Sequence, residues 1–334
     1  MRKCPAYIKY LLIVLPLLLA GCIHEYPIAK KGRPNNPGED PTTIETYIEV
    51  AYDLSWQSML QNIEVEPPVR AARDGNHRFV MEVQKDGETI CRDVEYLTDS
   101  DFSLGVMHHR FSVPLQACNY QIAVWYDKKE EDGNEYFYDI SNLSEVKMIS
   151  LYTTDAESMQ CGYASDVLDL RNVDMSDEEV TKTLELMHPS ARFEIVATDI
   201  NEFIANHRED LFQGDYYSVY LNFIDGVTPS FNLYNDALVD YHEMELSGRM
   251  RLPFAEYEEL KIAEGMVFCG ETDEARVKLT VKNSALVNVC QTEYFTFPIK
   301  RGYITTVRGN FLSNPVDGIF SINSVWEGEI EIHI

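Results

Sequence analysis

The sequence predicts an all-β fold of two tandem β-sandwich domains with short helical insertions. Short runs alternate apolar and polar residues with the period of two that a half-buried strand requires, and turn residues separate them at near-regular spacing. The 334 residues are enough for about two domains, each with its own core. Signals typical of a short helix occur at residues 176–179, a capping pattern, and at residues 201–213, an amphipathic one.

The N-terminus is predicted to be a lipoprotein signal peptide over residues 1–21. A basic start precedes an apolar run that falls short of the roughly 20 apolar residues of a membrane-spanning helix. The run ends in Leu19, Ala20 and Gly21 before Cys22, which resembles the lipobox of bacterial lipoproteins. The resemblance implies a diacylglycerol and acyl chains on Cys22, cleavage before it, and lipid anchoring in the outer membrane, with exposure at the cell surface. The alternative is a secreted protein without lipid.

The segment after the lipobox is predicted to be a flexible tether, residues 22–43. Four prolines and two glycines stand among few apolar residues, so the chain cannot build a core there. The whole chain carries 28 Lys and Arg against 55 Asp and Glu, a net charge of −27. Such acidity repels phosphate backbones and no basic run offsets it, so we expect no nucleic-acid partner.

The body of the chain is predicted to divide into two domains. The first, residues 44–165, has predicted strands at 44–54, 78–84, 89–96, 110–115, 120–127, 136–140 and 146–152, and Pro114 favours an edge position for its strand. Residues 166–183 are acidic and poor in large apolar residues, as expected of a connection. The second domain, residues 184–334, has predicted strands at 184–196, 216–224, 238–246, 266–270, 275–282, 294–299 and 303–312.

The last six residues form an alternating strand that needs a sheet to enter. Ile330, Ile332 and Ile334 share one face, and acidic residues and a histidine share the other. The strand either completes its own domain or is donated to a partner's sheet. These three isoleucines are therefore the candidate partner strand.

Five cysteines remain after Cys4 leaves with the signal and Cys22 takes lipid. Cys269 and Cys290 are the best candidates for a disulfide, and buried free thiols are the alternative.

Nucleophile, phosphate-binding and zinc motifs do not occur, so we expect no enzyme, no catalytic residue, no metal and no small-molecule substrate. One aromatic group admits two interpretations, a sugar platform or core packing: Tyr120, Trp125, Tyr126, Tyr136, Phe137 and Tyr138.

Three passages, together with the lipobox, resemble the FimB/Mfa-type fimbrial anchor family of type V fimbriae. They are an aromatic strand at residues 118–127, an entry strand at 184–195, and a basic residue, glycine and alternating strand at 297–311. The resemblance implies two transthyretin-like, Greek-key β-sandwiches and an anchoring role at the base of a fimbrium. Stalk subunits of that system are cut after arginine, which makes Arg70 and Arg73 the candidate protease-sensitive loop, whereas anchors keep their first strand.

The sequence therefore favours a lipoprotein that anchors a fimbrium to the outer membrane and limits its length. Its partners would be fimbrial stalk or accessory subunits, bound by β-strand addition. A surface glycan-binding lipoprotein and a stalk or tip fimbrillin of the same fold are the alternatives.

Overall fold

The computed structural model describes residues 43–53, 76–98, 106–129, 137–149, 159–173, 179–207, 216–225, 227–239, 243–252, 258–313 and 329–333. These residues form strands, with one short helix, as the sequence predicts for an all-β fold. The elements fall into two sandwiches and one smaller sheet between them.

The first sandwich packs a three-stranded sheet on a four-stranded one. The three-stranded sheet has the order β4-β1-β9, with β1 (Thr43–Asp53), β4 (Val106–Gln116) and β9 (Val180–Glu185). The four-stranded sheet has the order β3-β2-β5-β8, with β2 (Asn76–Lys85), β3 (Glu88–Leu97), β5 (Asn119–Lys129) and β8 (Cys161–Asp169). Strand β4 is an edge strand, so the position predicted from Pro114 is confirmed.

Alternation builds the first core, because every second residue of each strand points between the two sheets. The residues that fill it include Ile48, Phe79, Phe111, Ile122 and Tyr126. The hairpin between β2 and β3 turns at Asp86 and Gly87, whose φ angles of 53° and 82° are both positive. Such angles are what a two-residue type I′ turn demands, and an Asp-Gly pair accepts them at little cost.

The second sandwich faces a mostly parallel sheet with an antiparallel one. The first has the order β15-β10-β19-β20, with β10 (Ser190–Ala197), β15 (Leu260–Phe268), β19 (Ile304–Gly309) and β20 (Glu329–His333). The second has the order β14-β11-β16-β17, with β11 (Tyr216–Asp225), β14 (Met244–Arg251), β16 (Thr272–Lys282) and β17 (Asn288–Gln291). Strand β18 (Phe295–Lys300) pairs with the opening half of β16, and helix α1 (Ile200–Asn206) packs Ile200 and Phe203 into this core.

A small sheet and a third core join the two halves. The sheet has the order β13-β12-β7-β6 and takes β6 (Tyr138–Asp139) and β7 (Val146–Met148) from the first half, and β12 (Ser230–Asn232) and β13 (Ala237–Val239) from the second. Beneath it, Trp125 packs against Tyr138 and Phe268 at ring-centroid separations of 5.2 and 6.4 Å. The back of the first sandwich is therefore buried against the second half of the chain.

The structure differs from the sequence prediction at the connection between domains. Residues 166–169 end β8 and residues 180–183 begin β9, and both strands belong to the first sandwich. Leu168 and Leu184 enter the first core, whereas Asp169 and Glu179, which lie between them in the sequence, are exposed. The predicted strand at 184–196 is two strands, β9 and β10, because Pro189 interrupts the ladder. The domain boundaries at 165 and 184 stay predictions.

Candidate functional site

The candidate binding site is the place that β1 occupies in the first sandwich. Strand β1 lies between two neighbours, antiparallel to β4 along its whole length and parallel to β9 over residues 46–51. Its inward residues Ile44, Ile48 and Val50 are at most 2% exposed. A strand bonded on both sides and buried on one face is part of the core, so its removal would open a long groove.

The groove would be apolar and as long as β1. The residues that β1 covers include Phe111, Val113 and Leu115 on β4 and Leu184 on β9, all of which are buried. Burying Ile44, Ile48 and Val50 contributes roughly 1.5–3 kcal/mol for each side chain. A replacement strand would need apolar residues at alternate positions to recover this energy.

The outer face of β1 is polar and contributes little to holding the strand. The guanidinium carbon of Arg110 lies 3.6 Å from the ring centroid of Tyr47, and its Nε lies 3.8 Å from Oε1 of Glu49. Both partners of that ion pair are nearly half exposed, at 47% each. Exposed pairs of this kind are worth at most about 1 kcal/mol, so the inward isoleucines and the ladder fix the strand.

The predicted lipid and cleavage residues lie outside the described residues, but their order along the chain is fixed by the sequence. Leu19, Ala20, Gly21 and Cys22 precede β1, whereas Arg70 and Arg73 follow β1 and precede β2. Cleavage after either arginine would cut β1 and everything before it from the rest of the chain. The lipid would then hold the body only through the ladder of β1.

The candidate partner strand forms β20 at the edge of the second sandwich. Its backbone runs parallel to β19, with Ile330 beside Thr305 and Ile332 beside Val307, and Ile334 lies outside the described residues. Strand β20 has five residues and a single neighbour in the described sheet. Because parallel pairing is slightly weaker per residue and one side is open, β20 is held less firmly than β1.

A polar cluster fixes the two halves to each other beside the third core. The hydroxyl of Tyr163 on β8 donates to Asp236, and Nη1 of Arg301 lies 2.8 Å from the same hydroxyl. The hydroxyl of Tyr234 donates to Glu82 across the halves at 3.0 Å. Burial and the neighbouring carboxylates raise the pKa of both tyrosines, so each hydroxyl keeps its proton at neutral pH.

The structure does not bring the cysteines together. Cys91, Cys118, Cys161, Cys269 and Cys290 are all free thiols, so the alternative of unpaired cysteines holds and a bond between Cys269 and Cys290 is absent. The thiol of Cys290 instead donates to the carbonyl oxygen of Phe311 at 2.7 Å. Burial raises the pKa of Cys161 and of Cys269 to about 12, so both behave as small apolar side chains.

The aromatic group at residues 120–138 packs in the core wherever the structure describes it, so its interpretation as a sugar platform is wrong. Of that group, Tyr120, Trp125, Tyr126, Phe137 and Tyr138 are all at most 7% exposed, and Tyr136 lies outside the described residues. Within the described ranges, no three His, Cys, Asp or Glu side chains are placed to hold a metal. No helix in the part of the chain that the structure describes has the length and apolar character to cross a membrane.

Sequence reasoning missed the contacts between the halves. Tyr163, Asp236 and Arg301 come from three distant parts of the chain, and each is an ordinary polar residue in its local pattern. The one available signal was the density of large apolar residues on both faces of β5, where Val124 and Trp125 are both fully buried. A strand that is apolar on both faces needs a second layer behind it.

Comparison with known proteins gives a family and several distant structural likenesses. The profile of a family described as "Family of unknown function (DUF6562)" matches residues 41–334. Among curated proteins, none matches the chain.

Three solved structures illustrate the likeness. The fimbrial anchor protein Mfa2 from Porphyromonas gingivalis is 15% identical over 75% of this chain and 81% of its own, with a TM-score of 0.39. The C-terminally truncated tip fimbrial protein Mfa3 from the same organism is 8% identical over 76% and 81%, with a TM-score of 0.34. A fimbrial assembly protein from Parabacteroides distasonis ATCC 8503 is 10% identical over 80% and 90%, also with a TM-score of 0.34. These values are too low to carry a function from one chain to another.

Proposed function

We propose a function for this chain, which belongs to the DUF6562 family, a family of unknown function: it anchors a fimbrium to the outer membrane and limits its length. In this proposal, acyl chains on Cys22 enter the membrane, residues 22–42 act as a tether, and the two sandwiches hold a fimbrial subunit at the cell surface. A lipid-held subunit that accepts no further neighbour on its membrane side ends the filament there.

The observation that carries the proposal is the central position of β1 directly after the predicted tether. A pull on the lipid reaches the body through Thr43, the first residue of β1. That strand has a bonded neighbour on each side and a buried inward face, so a load along it must shear both ladders at once. The third core and the Tyr163–Asp236–Arg301 cluster would then pass the load to the second half.

Strand addition is the proposed mode of subunit binding. Strand β20 is short and has one neighbour among the described strands, so it can leave β19 at a smaller cost than β1 can leave its sheet. Either β20 enters a groove of the neighbouring subunit, or it vacates the edge of β19 for a strand from that subunit. In both cases main-chain hydrogen bonds supply affinity and alternate side chains supply specificity.

The test compares deletion of the gene with substitution of the lipid-bearing residue. Deletion should release fimbriae into the medium and lengthen them, and Cys22→Ser should release them without removing the folded protein. Cys118→Ser is the matched control, because that thiol forms no disulfide and lies nearly a hundred positions after Cys22 in the sequence. Fimbriae that stay on the cell at normal length in the deletion strain would refute the anchoring role.

The stalk or tip role is the second candidate, and the intact mass of the mature protein separates it from an anchor. An anchor keeps β1, so its mass should correspond to residues 22–334 plus acyl chains. Cleavage after Arg70 or Arg73 would remove β1 from the covalent chain and open the groove, which is the behaviour of a stalk subunit.

A further inference from the structure

The outward face of one sheet in the second sandwich is strongly basic, although the chain as a whole has a net charge of −27. The face belongs to β14, β11, β16 and β18, and we call it the basic face. Its cations are Arg249, Arg251, Arg276, Lys278, Lys282 and Lys300. Three acidic residues, Asp225, Glu245 and Glu274, occupy outward positions on the same strands, and Asp225 lies beside Arg276.

Strand register places these cations side by side. Ser218 on β11 lies beside Arg249 of β14 on one side and Lys282 of β16 on the other. Tyr216 lies beside Arg251, and Asn222 lies beside Lys278. Neighbouring strands are about 4.8 Å apart, so cations from β14 and β16 are roughly 10 Å apart across β11.

These six cations have no carboxylate partner among the described residues. Elsewhere in the described chain most cations have a carboxylate partner, as the exposed Arg171 and the partly exposed Lys182 each pair with an aspartate. The chain has about twice as many acidic as basic residues, so an unpaired cation is unusual here. Six of them against three carboxylates leave the face with a net positive charge and a local positive potential.

Tyrosine rings stand between the cations and hold them. Arg249 lies over Tyr216 at 4.5 Å from the ring centroid, and Lys282 lies over Tyr220 at 4.4 Å. A third ring, Tyr294, has two cations within 6 Å of its centroid. Tyr216 and Tyr294 are both 38% exposed, so part of each ring remains open to a ligand. These contacts keep the cations extended over the sheet, where a ligand meets them already ordered.

Apart from Pro298 on β18, the remaining outward residues mostly carry hydroxyls or amides rather than aliphatic side chains. They include Ser218, Asn222, Ser247 and Thr296, and Gln291 on the neighbouring β17 continues the same pattern. A protein-binding surface is usually enriched in apolar anchors at its centre and depleted in lysine, whereas three of the six cations here are lysines. The chemistry of the basic face is therefore that of a flat, hydrated surface for a polymer rich in hydroxyls and negative charges.

We propose that the basic face binds an acidic polysaccharide. The cations would pair with its carboxylates or sulfates, the hydroxyls and amides would hydrogen-bond its sugar hydroxyls, and the exposed parts of the tyrosine rings would lie against its sugar rings. This gives the chain an adhesive activity that is separate from fimbrial anchoring. The face lies on the sheet opposite to β19 and β20, so strand exchange at β20 leaves it open.

The test measures binding of the full chain, held in detergent micelles, to immobilised polymers at physiological ionic strength. Polygalacturonate and dextran sulfate are the probes, and dextran is the neutral control. We expect both probes to bind at least about tenfold more tightly than dextran and to weaken as salt increases. The triple variant R249Q, R276Q and K282Q should lose about tenfold in affinity.

Matched variants separate the basic face from general charge. The triple K85Q, K147Q and R171Q removes the same charge from the first half of the chain and should bind both probes like the wild type. The double variant Y216A and Y294A should weaken binding several-fold, and Y96A, at a more exposed tyrosine on β3, should not. Thermal melts of every variant establish that the fold is kept.

Several results would overturn the proposal. One is equal weakening by the two triple variants, and another is dextran binding as tightly as the acidic polymers. Tighter binding of poly-L-glutamate than of either polysaccharide would identify an acidic protein as the partner instead. Equal or tighter binding of single-stranded DNA would mean that the face recognises any polyanion.

Discussion

The substitution Ile48→Ala tests whether β1 remains in its sheet in the mature protein. Ile48 is fully buried in the middle of β1, with Phe111 beside it on β4. The change removes three carbons at about 0.8 kcal/mol each, and the cavity left behind adds to that loss. We expect the free energy of unfolding to fall by about 3 kcal/mol, which lowers the melting temperature by roughly 6–12 °C.

The assay compares two preparations of the same variant by calorimetry. One is the uncleaved chain produced without lipid, and the other is the mature protein purified from the outer membrane. The control is Glu49→Ala on the same strand, where the side chain is 47% exposed and the stability should change by less than about 0.5 kcal/mol. If β1 stays in place, Ile48→Ala lowers the melting temperature of both preparations alike.

Two outcomes would contradict the reasoning. A mature protein that melts like the wild type, beside a destabilised uncleaved chain, means that β1 has left the sandwich and that the anchor proposal is wrong. An uncleaved chain that is itself unaffected means that Ile48 does not lie in the core.

Three further predictions concern the fold. Arg78→Met should lower the free energy of unfolding by about 3–5 kcal/mol, because it removes the guanidinium that pairs with the buried Asp127; the two side chains are 4% and 2% exposed. Arg171→Met, in an exposed pair, should leave the melting temperature unchanged. Burial raises the pKa of Tyr163 above its ordinary value of 10, so the contribution of this hydroxyl to stability is fully present below pH 10 and is lost as the pH rises further. Urea unfolding measured across the alkaline range should show a smaller loss of stability in Tyr163→Phe than in the wild type. Intact mass before and after alkylation under denaturing, non-reducing conditions should find both Cys269 and Cys290 alkylated, and protection of the pair would reveal a disulfide.

The all-β fold was predictable because each long strand carries its own signal. In β1, the inward Ile44 and Ile48 alternate with the outward Glu45 and Glu49. The structure buries the two isoleucines and leaves the two glutamates partly exposed. The Asp86-Gly87 turn likewise fixes the first hairpin from local geometry alone. In both cases the residues that decide the structure are neighbours in sequence.

The connection between the halves was not predictable in the same way. Strand β9 looks like part of an acidic linker in the sequence. Only Leu184 and Leu186, the residue directly after the strand, are buried in the first core. The strand exists because β1 offers it a free edge, and β1 lies more than a hundred residues earlier in the chain. The sequence could not decide between a sugar platform and core packing for Trp125 and its aromatic neighbours for a related reason, since the layer that covers them includes Phe231 and Phe268 from the second half.

The basic face shows how a property of the surface can oppose the property of the whole sequence. The prediction of no nucleic-acid partner depended on the absence of consecutive basic residues, and no strand of the basic face contains consecutive basic residues. On β16 the cations Arg276, Lys278 and Lys282 are separated by inward apolar residues, so the local composition looks like that of any half-buried strand. Pairing β14, β11, β16 and β18 in register puts all the outward positions on one plane, and only then do the cations become neighbours. With a Debye length of about 8 Å at physiological salt, a ligand at this plane responds to those cations rather than to the distant net charge. The acidity of the chain therefore does not exclude a polyanionic partner at this one face.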